Sequence, residues 1–114
     1  MIFSDISGIF VYRDSVDLRK GHNSLSHLVS HEMELDLLSG ALFLFVNRAR
    51  KASKALYWDG NGLILFHKKL EKGRFMSFSH LDQITEINLS DLKLILGGAQ
   101  IPFNHRGKKI SLKV

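Results

Sequence analysis

The sequence predicts an α+β fold, a mainly antiparallel sheet of about five to six strands with two helices. Three observations lead there. Short β-branched and aromatic runs recur along the chain, separated by turns rich in glycine, asparagine and aspartate. One window, Leu18 to Met33, instead places apolar residues three and four apart, the spacing of one helix face, and a second helix is marked by a cap at Ser90 and a stop at Gly97-Gly98. The run Leu42-Phe43-Leu44-Phe45-Val46 is apolar at every position, so it reads as a strand covered on both faces and central in its sheet.

Taken in order, Ile9-Phe10-Val11-Tyr12 is the first strand and ends at Arg13-Asp14-Ser15. A helix follows, with Asp17 as its N-cap because a carboxylate there accepts from the free amides of the first turn. Leu18, His22, Leu25, Leu28, Val29 and Met33 form its core face, which makes His22 a core histidine, and the helix ends by about Glu34. Gly21 falls mid-helix, at a cost of about 1 kcal/mol against alanine, which points to close packing or backbone approach. After a loop from Leu35 to Gly40 comes the central strand, then Asn47 to Lys54, a basic hairpin loop. Leu56-Tyr57-Trp58 and Leu63-Ile64-Leu65-Phe66 flank Asp59-Gly60-Asn61-Gly62, whose Asp-Gly and Asn-Gly steps tolerate the positive φ of a tight hairpin turn. Phe75, Phe78 and Leu81 are available for burial, and Ile84-Thr85-Glu86-Ile87 is a short strand. Ser90 caps a second helix, Asp91 to Leu96, stopped by Gly97 and Gly98. Past Pro102, the Asn104-His105-Arg106-Gly107 turn leads to an alternating strand, Lys109 to Val114, with one buried face.

At 114 residues with a 45% hydrophobic share, the chain suits one domain spanning residues 1–114. No apolar run approaches the roughly 20 residues that span a bilayer. The N-terminus has Asp5 and no basic residue before its apolar patch, which argues against a secretory signal and for a cytoplasmic protein. With no cysteine, disulfides and thiolate chemistry are excluded.

Charge is unevenly placed. Residues 1–46 carry three Lys/Arg against six Asp/Glu, residues 47–75 eight against two, and residues 76–114 five against three. The middle segment, at +6, generates a field that attracts polyanions, and the expected partner is nucleic acid. Its cations are Arg48, Arg50, Lys51, Lys54, Lys68, Lys69, Lys72 and Arg74, the first four on the hairpin loop and the others along the far strand's end. Arg19 and Lys20 form a second candidate, because cations beside exposed helix amides make a phosphate site; the alternative is that Arg19 pairs with Asp14 or Asp17 at the surface. His27 and His31 stand four apart on one helix face, but the zincin glutamate and a third ligand are missing, so neither a metal nor a cofactor is expected. Enzymatic constellations are likewise missing: there is no nucleophile-elbow motif, no P-loop and no acidic cluster for two-metal phosphoryl transfer.

Four blocks together carry a family resemblance. Asp17-Leu18-Arg19-Lys20-Gly21 with Leu25 and Leu28-Val29, Gly40 through Phe45, Leu56 through Gly62, and Lys69-Leu70-Glu71-Lys72-Gly73-Arg74-Phe75 stand in the order and spacing of an accessory-protein family. Over about residues 9–98 the chain resembles the product of the second reading frame of bacterial insertion sequences of the IS66 group, often labelled TnpB. It departs from that pattern at His22, where the family has an aromatic, and at Met76-Ser77-Phe78, which replaces an aromatic-proline step. The resemblance implies an accessory role in transposition beside a separate, large transposase.

Two functional readings follow. In the first, the protein is a non-catalytic accessory factor binding nucleic acid, such as the DNA at element ends, through its basic hairpin surface. In the alternative it is a protein-interaction module that docks on the transposase without contacting DNA. Tyr57 and Trp58 discriminate: set among cations on an open sheet they would stack unpaired bases, whereas in an interface core they would meet a protein partner.

Overall fold

In the computed structural model, which describes residues 5–19 and 21–108, the all-apolar run Leu42–Val46 forms strand β2, every residue of it buried. It is the middle strand of a five-stranded sheet, flanked by β1 (Ile9–Tyr12) and β3 (Ala52–Trp58), with β5 (Ile84–Ile87) beyond β1 and β4 (Leu63–Lys69) beyond β3. β1 and β2 are parallel and the other three pairings antiparallel, so the sheet is mainly antiparallel as expected. The expected Lys109–Val114 strand lies outside the described residues.

Alternation along the strands sorts the core into two halves. Leu42, Leu44 and Val46 share one face with Ile9, Val11, Ala55 and Tyr57. Phe43 and Phe45 share the other with Tyr12 and Leu56, where Phe43 stacks beside Phe10 and Phe45 meets Tyr12, each pair with centroids 6.0 Å apart. The first face is closed by helix α2 (Leu89–Leu96) through Leu92 and Ile95, together with Phe75, Phe78 and Leu81 from the long connection after β4. The second is closed by Leu25 of helix α1 (His22–His27) and by Val29 and Met33 beyond it.

Both helices begin elsewhere than the sequence suggests. Asp17 does not cap α1: its carboxylate accepts the Arg19 amide at 3.1 Å and the Arg19 guanidinium at 2.7 Å. That local turn satisfies Asp17, and the helix starts only after Gly21, which serves as N-cap with extended backbone and no side-chain capping bond. Gly21 therefore incurs no interior-helix cost. His22, at the exposed start of α1, is not a core residue. After six residues α1 widens into a π-helical turn, Leu28–Glu32, in which the Met33 amide reaches the Leu28 carbonyl at 2.8 Å while Val29 and Met33 stay buried. At α2 the cap is Asn88 rather than Ser90, its side-chain oxygen accepting the Asp91 amide at 2.8 Å. The stop is as read: the Gly97 amide bonds back to the Lys93 carbonyl, and Gly98 takes φ +90°.

Both hairpins form, with longer strands than the apolar runs alone mark out. β3 begins at Ala52, shortening the basic loop to residues 47–51, and β4 continues to Lys69. At the far turn Asp59 accepts the amides of Asn61 and Gly62, and Gly60 takes φ +114°. No helix among the described residues is long and apolar enough to cross a membrane.

This packing ranks two substitutions. Phe43→Ala should cost about 3–5 kcal/mol, as a buried aromatic truncation does. Asn88→Ala should cost only about 0.5–2 kcal/mol through the lost cap. Urea denaturation should show the first close to abolishing the folded state and the second shifting its midpoint; the reverse order would refute the central role given to β2.

Candidate nucleic-acid interface

The strand register brings separated segments to one end of the sheet. Val46 opposes Ser53, Ala52 opposes Lys69, and Tyr12 opposes Ile84. The loop 47–51, the start of the connection after β4 and the chain leaving β1 therefore gather at the same end.

The loop is held from inside. Its Asn47 side-chain oxygen accepts the amides of Lys51 (3.0 Å) and Ala52 (3.1 Å), and the Arg50 amide closes a turn on the Asn47 carbonyl at 3.0 Å. Arg50 sits in the left-handed region at φ +60°, a conformation that favours glycine. The two cation clusters are then tied together through backbone. The amides of Leu70 and Phe75 donate to the carbonyls of Lys51 and Arg50, each at 2.8 Å. Lys51 Nζ donates to the Gly73 carbonyl at 2.6 Å, and an Arg50 guanidinium nitrogen to the Phe75 carbonyl at 3.4 Å. Charges distant in sequence thus become one surface.

Within it, Arg48, Lys68, Lys69, Lys72 and Arg74 are exposed, and Arg50, Lys51 and Lys54 are half-buried. Lys54 lies between Phe45 and His67 on the α1 side of the sheet. Lys69, opposite Ala52, shares that side, while Lys68, opposite Ser53, points to the α2 side. Among the described residues no carboxylate forms a salt bridge with Arg48, Arg50, Lys51, Lys68, Lys69, Lys72 or Arg74. Packed this closely, unneutralised cations repel one another and raise the local positive potential.

The other expected site residues fare differently. Arg19 is bound to Asp17, the surface-pair alternative, and it precedes α1 rather than standing in its first turn. The hydrogen bond that Arg19 donates to Asp17, and then the carboxylate's charge, raise the guanidinium pKa further above its already high ordinary value, so Arg19 remains a cation committed to that partner. Lys20 lies outside the described residues. Tyr57 is a correction: its side chain is 4% exposed in the α2-side core, because its position in β3 alternates inward, and it cannot stack a base. Trp58 is half-buried at the opposite end of β3, six residues or roughly 20 Å from Ala52. It therefore cannot act together with the basic loop on one nucleotide. His27 and His31 stack at 4.0 Å on the exposed face of the helix, and no metal-binding group of three side chains occurs among the described residues.

Sequence reasoning missed a cleft of about 280 Å³ at this same end, walled by Arg13 to Ser15, Asn47, Arg48, Arg50 and Ser77 to Ser79 over a floor of Tyr12, Val46, Met76 and Phe78. Its walls come from three segments, so no local motif announces it.

Fold and sheet end together define a small α+β protein with a consolidated cationic surface. The chain belongs to the family described as IS66 Orf2 like protein, whose sequence profile matches residues 7–106, and membership implies an accessory role in transposition. It is 32% identical over 90 residues to each of two uncharacterized proteins of Sinorhizobium fredii (strain NBRC 101917 / NGR234), y4jC and y4hO. Those alignments cover 79% of this chain and 77% and 78% of the relatives. No solved structure matches it significantly.

The loop's construction separates its structural residue from its display residue. Asn47→Ala, which strands two amides, should destabilise by about 1–3 kcal/mol. Arg48→Ala at the exposed tip should stay within about 0.5 kcal/mol of the parent. Thermal unfolding of both variants measures the contrast.

Proposed function

We propose that the protein is a non-catalytic accessory factor of DNA transposition, acting in the cytoplasm, that binds nucleic acid through the cationic sheet end. The observation that carries this reading is the union of residues 47–51 with residues 70–75 by two backbone hydrogen bonds and the Lys51–Gly73 contact, with no salt-bridging carboxylate on the exposed cations. Concentrated positive charge whose exposed members, Arg48, Lys68, Lys69, Lys72 and Arg74, form no salt bridge among the described residues suits a polyanion. Contacts of this kind are to phosphates, which position a nucleic acid without reading its bases. Arg48, Lys68, Lys69, Lys72 and Arg74 supply the exposed charge; Arg50 and Lys51 hold the surface together as well as adding to it. Lys54 contributes from the α1 side. Arg19 is not part of this surface, because its charge is met by Asp17.

A second reading, docking on the element's large transposase, has its own support in β4. This seven-residue strand is the outer edge of the sheet, and Leu63 to Phe66 are only half-buried along it. An edge of that length offers unpaired backbone groups to a partner strand.

A mobility-shift titration with the purified protein, on element-end and scrambled duplexes, decides between them. Binding should be nearly indifferent to sequence, and log affinity should fall with log salt by about 0.9 per phosphate contact. The triple change Arg48→Ala, Lys69→Ala, Lys72→Ala should flatten that slope by up to about 3 units with little loss of stability, since all three are exposed. An unchanged slope would remove these residues from the surface. No shift at low salt, with a supershift only when transposase is added, would establish the docking reading instead.

A further inference from the structure

The cleft beside the basic loop differs in character from the open cationic surface. β1 and β2 are parallel, so both deliver their following segments to the same end, where they diverge: one leaves toward α1 and the other turns into the hairpin. The gap between them is closed from the third side by Ser77 to Ser79. Its apolar lining residues, Val46, Met76 and Phe78 from the α2-side core and Tyr12 from the α1-side core, are all 7% exposed or less. Its rim carries three arginines against one carboxylate, and that carboxylate, Asp14, is already paired with Arg13 at 3.2 Å.

The rim also has a donor to spare. Ser77 Oγ accepts the Ser79 amide at 3.3 Å and lies 2.9 Å from Ser79 Oγ. When the Ser77 hydroxyl donates to Ser79 Oγ, the Ser79 hydroxyl hydrogen is left for a ligand. Arginine and hydroxyl donors around an apolar floor suit an anion attached to a flat, weakly polar body. A volume of about 280 Å³ falls just below the range of small-molecule sites, about 300–1,000 Å³, which limits the occupant to one nucleotide-sized group and excludes a duplex.

We propose that this cleft holds one nucleotide of an unpaired strand, its phosphate against Arg48, Arg50 and Ser79 and its base over the apolar floor. The proposal deepens the nucleic-acid reading and rests on it for the strand that delivers the nucleotide. It adds a preference that phosphate contacts on an open surface do not supply: single strands, frayed ends or nicks over intact duplex.

The test uses the full chain and three probes: deoxyadenosine 5′-monophosphate followed by backbone amide NMR shifts, and a fluorescently labelled single strand and its duplex followed by anisotropy. The mononucleotide should shift amides of residues 12–15, 47–50 and 76–79 in a saturable manner, and deoxyadenosine without phosphate should not. Filling the rim with Ser77→Leu should weaken single-strand binding about fivefold or more, the lower end of what one stacked base contributes, and leave duplex binding unchanged. Ser79→Leu, at an exposed position, takes its place if that variant does not fold. Localised mononucleotide shifts with no binding of either polymer would overturn the surface reading and the unpaired-strand proposal together. Shifts absent or scattered over the lysines, or equal weakening of single strand and duplex by the rim variant, would overturn the cleft proposal while leaving the surface reading standing.

Discussion

The burial of β2 on both faces is the constraint on which the rest of the structure depends. Five consecutive apolar side chains must be removed from water on two sides at once, which a strand with a single covered face cannot achieve. The chain meets this by crossing from β1 through α1 to a parallel β2 on one face, and by returning the long post-β4 connection and α2 over the other. Phe43 and Phe45, fully buried under the α1 side, tie that crossover to the sheet. The edges then fall to the strands with the mildest demands, β4 and the four-residue β5.

That arrangement fixes where the charge goes. Since β2 and β3 form a tight hairpin, their connecting loop has to emerge at the end of the sheet where β4 also finishes, and the basic segments become neighbours whatever their side chains prefer. Their mutual repulsion opposes folding, and three features offset it: high solvent exposure, the backbone bonds from Leu70 and Phe75, and carbonyls that accept from Lys51 and Arg50. Arg50 at positive φ adds local strain to the same loop. Glycine at position 50 would relieve that strain, so arginine there keeps its charge on the loop at a local conformational cost.

On the proposed reading, the open surface and the cleft would divide the work of recognition by physical type. Exposed lysines and arginines act over the Debye length and set attraction and salt dependence. The cleft would act only at contact, through its apolar lining and a few directed donors, and so would add discrimination by shape. An accessory factor of transposition with both would be drawn to DNA generally and retained where a strand is unpaired.

Much of this fold was legible from side-chain pattern alone. The unbroken apolar run of β2, the Asp59 to Gly62 turn and the paired glycines after Leu96 each carry their signal locally, because period, positive φ and loss of helical continuation are properties of a few adjacent residues. So does the charge excess of residues 47–75 and the set of blocks that mark the IS66 family. What needed the tertiary structure was every choice between equally competent local partners. Asp17 was a sound helix cap until Arg19 claimed its carboxylate, and Ser90 gave way to Asn88 two residues earlier; a capping preference ranks residue types but does not settle which of several nearby candidates the packed helix will reach. Tyr57 and Trp58 are adjacent and alike in sequence, yet alternation turns the first into the α2-side core and the second to the other face, and both stand at the end of β3 away from the basic loop. The cleft was illegible altogether, being made where residues 12–15, 46–50 and 76–79 converge: the sequence determined the inventory of charges, turns and apolar runs, and the register of the sheet decided which of them meet.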